Sequence, residues 1–173
     1  MALALTMSGY VIAGGYVGAG IGQTNVDACS DLYAAGATTC DDEDTGFKFF
    51  GGYEINKNFA IEAGYTDAGE VSASGGGGTA TAELTALSLY GKGTVPLNES
   101  FSLFGKVGLA SWEADLSATG YGSLGSEDGT DLAIGIGGEF NVNNTFGVRA
   151  EWERVDADDV DVDMLSISAV MKF

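Results

Sequence analysis

The sequence predicts an all-β fold, an eight-stranded antiparallel up-and-down barrel. Three observations carry this. From Gly15 to the last residue, apolar residues recur with period two. The segments so patterned number eight, and the connections between them alternate between short and long. Of 173 residues, 28 are Gly, about twice the usual ~7%, which argues against helices.

The first element is preceded by an uncharged stretch, since the first charged residue is Asp27. A membrane-spanning helix is the first candidate for residues 1–26, but the glycines from Gly9 to Gly22 weaken it. A division fits better. Residues 1–13 read as the apolar region and cleavage end of a secretory signal, with Val11-Ile12-Ala13 as the small-residue site and no basic start. Residues 14–173 then form the barrel domain; in the alternative, 1–13 extend the first strand.

The first strand is 15–24. In the second, 47–55, Phe47, Phe49, Tyr53 and Ile55 share one face, while Lys48, Phe50 and Glu54 share the other. A turn at 56–58 leads to the third, 59–65, with Phe59, Ile61 and Tyr65 on one side and Glu62 and Gly64 on the other. The pattern recurs at 84–95, 101–112, 132–142, 145–154 and 163–173. Connections at 56–58, 96–100 and 143–144 are short, whereas those at 25–45, 67–83, 113–131 and 155–162 are mostly longer and polar. Ten residues at ~3.3 Å each, tilted by ~40°, span roughly 25 Å, the apolar band of an outer membrane.

The two faces decide which way the barrel is turned. One collects Val17, Ile21, Phe49, Ile61, Leu89, Val107, Ile134, Val148 and Ile167 and is almost free of charge. The other collects Gly18, Gly20, Gly52, Gly64, Gly108, Gly135 and Gly137, with Glu62, Lys92, Lys106, Glu139, Arg149 and Glu151 at mid-strand. A water-soluble barrel would have to pack the first set into a narrow bore and cover its exterior with glycine. Inverted, the large side chains meet lipid, and small and charged residues fill a lumen just wide enough for them. Closure also satisfies every backbone group, as lipid requires. The inward set holds three acids and three bases, and a dry lumen demands such near-balance.

Several motifs in this order resemble the OmpA-type transmembrane barrel: Phe49 to Asn56, Ala60 to Tyr65, Lys106 to Asp115, Gly137 to Phe140, and Val148 to Trp152. The resemblance covers roughly residues 15–173 and lacks the soluble peptidoglycan-binding domain that follows the barrel in full-length members. It implies a central ionic cluster, carried here by Glu62, Lys92, Glu139 and Arg149, with Lys106 as a further lumen-facing base. It also implies that the final strand, which alternates and ends at Met171-Lys172-Phe173, is the signal read by the barrel-insertion machinery. The cluster is expected to plug the lumen; the alternative is a gate in which partner exchange opens a narrow water path.

The chain carries 25 acidic and 7 basic residues, a net charge of −18. Twenty of the acids fall in the four long connections and the strand ends beside them, opposed there only by Arg154. This reads as a solvated rim that attracts cations and repels anions. Asp41, Asp42, Glu43 and Asp44 are a candidate set of divalent-cation ligands, without an EF-hand spacing. Cys29 and Cys40 are expected to pair in an exported protein, adding about 3 kcal/mol or less. So acidic a chain is a poor nucleic-acid binder. It has no His, which removes Ser-His and Cys-His nucleophiles and imidazole zinc sites, so neither an enzyme nor a cofactor is expected.

The expectation is therefore an integral protein of the bacterial outer membrane, with its long connections outside the cell and its termini in the periplasm. Its partners would be outer-membrane lipid and lipopolysaccharide, the insertion machinery, and divalent cations at the connections. Its role would be structural and surface-related. The alternatives are a small cation-preferring pore and a surface adhesin, for which Tyr33 and Tyr121 are the only aromatic handles in the connections.

Overall fold

A computed structural model describes residues 14–26, 39–41, 43–75, 78–120, 122–157 and 160–173. The elements are β1 (Gly15–Val26), β2 (Thr39–Asp41), β3 (Glu43–Glu54), β4 (Phe59–Gly75), β5 (Gly78–Pro96), β6 (Phe101–Ala118), β7 (Gly122–Asn141), β8 (Phe146–Ala157) and β9 (Val160–Lys172). Eight of them close a ring in chain order, and every neighbouring pair is antiparallel. The last strand returns to the first from Tyr16↔Lys172 to Val26↔Val162, so the ring has no open edge through this stretch. The short β2 continues the wall beyond the β3–β4 ladder, pairing with the part of β4 (Thr39↔Ser74 to Asp41↔Ser72) whose other edge is held by β5.

The tight turns at the end holding both termini share one chemistry. Asn56, Asn98 and Asn143 each accept, on Oδ1, the amides two and three residues on, at 2.8–2.9 Å. Each turn is completed by a backbone bond from the residue before the Asn to the carbonyl of Phe59, Phe101 or Phe146. The side chain does locally what a longer loop would otherwise do, which holds these connections short. Phe59, Phe140, Phe146 and Phe173 project outward beside them as an aromatic girdle.

The opposite end departs from expectation. Segments 67–83, 113–131 and 155–162, expected as connections, are largely strand, and β5–β6 pairing runs on to Ala80↔Ala118. Once paired in lipid, the ladder keeps satisfying backbone groups in water, and only a tip is left to turn. A bulge between Asp67 and Gly69, with Gly69 at φ +84°, re-aims β4 where it leaves the apolar band.

Orientation follows the expected inversion. Phe49, Ile61, Leu89, Val107, Ile134 and Ile167 all project outward. Inside, glycines make wells for rings. A Cβ on Gly52 would overlap the Tyr16 ring, and one on Gly18 would overlap Phe50. Ile136, at the middle of the outward apolar run from Leu132 to Phe140 on β7, is 61% exposed. Ile136→Arg should lower stability by about 2–4 kcal/mol when unfolding by urea is followed in lipid vesicles, whereas Ile136→Leu should change it by less than ~1.5 kcal/mol.

Candidate functional site

The interior at mid-height is a layer of ions among rings. The alternation of β8 sends Arg149, Glu151 and Glu153 inward from consecutive same-face positions, and β3 sends Lys48 and Phe50 to meet them. Arg149 is fully buried. Its Nη1 donates to Glu62 Oε2 at 2.7 Å, and its Nε and Nη2 donate to Glu139 Oε2 at 3.2 and 3.1 Å. Its guanidinium lies 4.4 Å from the Phe50 ring, 4.8 Å from Phe104 and 5.3 Å from Tyr16. Planar charge and ring faces thus occupy the barrel axis together.

Glu62 is the hub on the opposite wall. Beside Arg149 it takes Lys106 Nζ at 3.2 Å, the Tyr16 hydroxyl as donor at 2.7 Å, and Lys92 Nζ at 4.0 Å. Lys92 and Lys106 stand directly opposite each other across β5–β6. Like charges so placed repel, and Glu62 reaches both. Lys106 also pairs with Glu151 and, at 2.6 Å, with Glu153. Lys48 pairs with Glu153 and, at 3.2 Å, with Glu151. At the terminus end Lys172, partly exposed, meets the free oxygen of Glu139 at 2.6 Å.

All six residues singled out from the sequence, Glu62, Lys92, Lys106, Glu139, Arg149 and Glu151, come together in this layer. Two more belong to it. Lys48 shares the inward parity of Phe50 and Gly52, and Glu153 shares that of Arg149 and Glu151, so alternation alone could have found both. Glu153, expected on the rim, is buried at 7% exposure, because β8 stays in the wall to Ala157. The balance is therefore four acids (Glu62, Glu139, Glu151, Glu153) against four bases (Lys48, Lys92, Lys106, Arg149), each under 9% exposed.

The other expected sites lie elsewhere. Met171 and Phe173 sit on the outward face, with the Phe173 amide bonded to the Gly15 carbonyl at 2.9 Å. The Asp44 carboxylate accepts the amides of Glu70 at 2.8 Å and Thr45 at 2.7 Å, and these bonds hold it below the usual carboxylate range. Its lone pairs thus serve β-strand geometry. Asp42, the side chain of Asp41, Cys29, Tyr33, Tyr121 and residues 1–13 lie outside the described residues. Among the described residues no group of three or more Asp, Glu, Cys or His could hold a metal ion. Arg154 on the rim is held by Asp163 at 2.7 Å and Asp161 at 3.2 Å.

A closed antiparallel ring with hydrocarbon outside and neutralised ions inside is the architecture of one envelope family, and residues 1–173 match that family, described as the outer membrane protein beta-barrel domain. The chain belongs to the outer-membrane protein β-barrel family. No curated protein sequence matches it. Among solved members of similar shape is Ail, the attachment invasion locus protein of Yersinia pestis, whose structure is also known in complex with the heparin analogue sucrose octasulfate. It is 22% identical, with a TM-score of 0.64 over 93% of this chain and 99% of that one. Neisserial surface protein A gives 15% identity and a TM-score of 0.66 over 92% and 97% of the two chains. OprG from Pseudomonas aeruginosa gives 14% and 0.61 over 93% and 96%. At such identities the likeness is one of fold, and this outer-membrane barrel's ion layer has to be read from its own residues.

Because the layer is balanced, removing one member should cost more than removing a matched pair. Glu62→Gln should destabilise this outer-membrane barrel by about 3–5 kcal/mol. Adding Lys106→Gln should recover part of that loss, since three acids would again face three bases. Urea unfolding of the two variants in vesicles measures both, and a double variant less stable than the single one would contradict the charge-balance account.

Proposed function

We propose that the protein is a structural and surface-presenting barrel of the bacterial outer membrane whose lumen is closed by its ion layer. The observation that carries this reading is Arg149: a fully buried guanidinium between Glu62 and Glu139, flanked by three aromatic rings, fills the axis where an open pore would hold water. The acidic end faces the cell exterior and the termini face the periplasm. Lipid contacts the outward apolar face, and divalent cations bridge the rim carboxylates to anionic lipopolysaccharide. Met171 and Phe173 supply the signal for the insertion machinery.

A gated, cation-preferring pore is the second reading, favoured by one feature. Lys92 is the layer's most loosely paired base, 4.0 Å from Glu62 and resting on the Tyr16 and Phe104 rings at 4.4 and 5.0 Å. An attachment role through a polysulfated partner, of the kind the Ail complex suggests, fits this chain poorly. A net charge of −18 concentrated at one end repels such a ligand.

In planar bilayers the wild-type protein should give no resolved channels, while Glu62→Ala and Lys92→Ala should each open a small conductance with a reversal potential on the cation side. Steady wild-type conductance would contradict the plug, and channels in Lys92→Ala alone would favour the gate. Deleting Phe173 should slow assembly in cells several-fold, read as loss of the heat-shifted folded band, while barrel refolded in detergent stays stable.

A further inference from the structure

The three rings that pack against Arg149 are seated alike. Each lies over a glycine directly across a strand pair: Tyr16↔Gly52, Phe50↔Gly18 and Phe104↔Gly137. A Cβ on any of these glycines would overlap the ring. The wells fix the rings, and that task needs no polar atom, since Phe50 and Phe104 perform it with plain phenyl groups. Tyr16 alone of the three carries a hydroxyl. The residue is 2% exposed, and a hydroxyl so buried costs free energy unless it is paired. Its presence needs a reason other than packing.

The hydroxyl is paired twice. It donates to Glu62 Oε2 at 2.7 Å and accepts from Lys92 Nζ at 3.3 Å. Among the described residues it is the one acceptor within hydrogen-bond reach of that ammonium, because the Glu62 carboxylate itself stands 4.0 Å away. The other charged groups around Lys92 repel it or are engaged. Lys106 stands directly opposite on β6. Arg149 shares the Tyr16 and Phe104 rings with it. Glu139 holds Arg149 with one oxygen and Lys172 with the other. Lys48 and Lys106 are held differently, each by two or more carboxylates at 3.2 Å or less. Lys92 thus keeps its place through a single hydroxyl and two ring faces.

We infer that Tyr16 is the positioning residue of the closed lumen. Its hydroxyl extends the hold of Glu62 to Lys92, and the layer loosens at Lys92 when that hydroxyl is lost. Donation to the carboxylate polarises the O–H bond and makes the phenolic oxygen a better acceptor for the ammonium. The Gly52 well delivers the oxygen to one fixed point, so the relay costs little ordering. Without the hydroxyl, Lys92 keeps the attraction of the rings but faces Lys106 and Arg149 with no acceptor in reach. The inference rests on the reading of the layer as what closes the lumen.

The test uses the whole chain in lipid bilayers and the variant Tyr16→Phe, which keeps the ring and removes one oxygen. In planar bilayers its total open time should exceed the wild-type background by at least about tenfold, the factor carried by one hydrogen bond to a charged group. Adding Tyr16→Phe to Lys92→Met should leave the conductance of Lys92→Met unchanged, because both act at one point. A second readout is reductive methylation with formaldehyde in vesicles, followed by mass spectrometry of each lysine. Tyr16→Phe should raise labelling of Lys92 several-fold while Lys48 and Lys106 stay protected. General loosening of the barrel would expose all three together, and that result would overturn the inference. So would unchanged labelling of Lys92, a Tyr16→Phe barrel as silent as wild type, or additive effects in the double variant. Steady channels in the wild-type protein would refute the closure reading, and the labelling of Lys92 then decides the role of Tyr16 by itself.

Discussion

Charge inside a ring wrapped in hydrocarbon has to sum close to zero, and the rest of the structure is arranged around that requirement. The eight charged groups at the middle of the bore are each under 9% exposed, so each carboxylate must be served by a neighbour's proton donors, and each cation by a carboxylate or a ring face. Arg149 meets the demand with Glu62 and Glu139 on either side and three rings packed against it. Those rings need space, and the glycines facing them supply it. The abundance of glycine is therefore the geometric counterpart of a lumen filled by a few large side chains.

Much of this was legible in the sequence, because lipid imposes one strong rule. Inside the membrane band, outward means apolar, and strict alternation assigned Phe49, Leu89 and Ile134 to the outside and Glu62 and Arg149 to the inside, as the structure has them. Where the band ends, the rule ends. Beyond Leu84 on β5 and Trp112 on β6 the apolar residues turn inward and the acids outward. A reader applying the membrane pattern sees noise there and writes a loop. Glu153 was lost for the same reason, submerged in a run of acids that includes rim residues. Lys48 was lost differently: its parity was plain on its own strand, but it was not gathered with the mid-strand charges of the inward face.

The tight turns were read only as short. Their shared chemistry, an Asn, any residue, then Asn, Ser or Thr, then Phe, stands openly at Asn56–Phe59, Asn98–Phe101 and Asn143–Phe146. It combines a local acceptor for two amides with an aromatic that begins the next strand at the membrane boundary. One four-residue motif therefore both reverses the chain and sets the depth at which the next strand starts.

The Lys92↔Lys106 pairing has a consequence for how the strands find their places. Sliding β5 along β6 by two residues leaves every hydrocarbon group in lipid and restores a full ladder, so neither solvophobic force nor backbone bonding opposes it strongly. The ions do oppose it. Only in the native setting does Glu62 lie within reach of both lysines, and a slipped strand would leave a cation stranded beside Phe104 or Gly108. The charged girdle works as the index mark of a vernier, selecting one shear of the cylinder among several that the oily exterior could not tell apart.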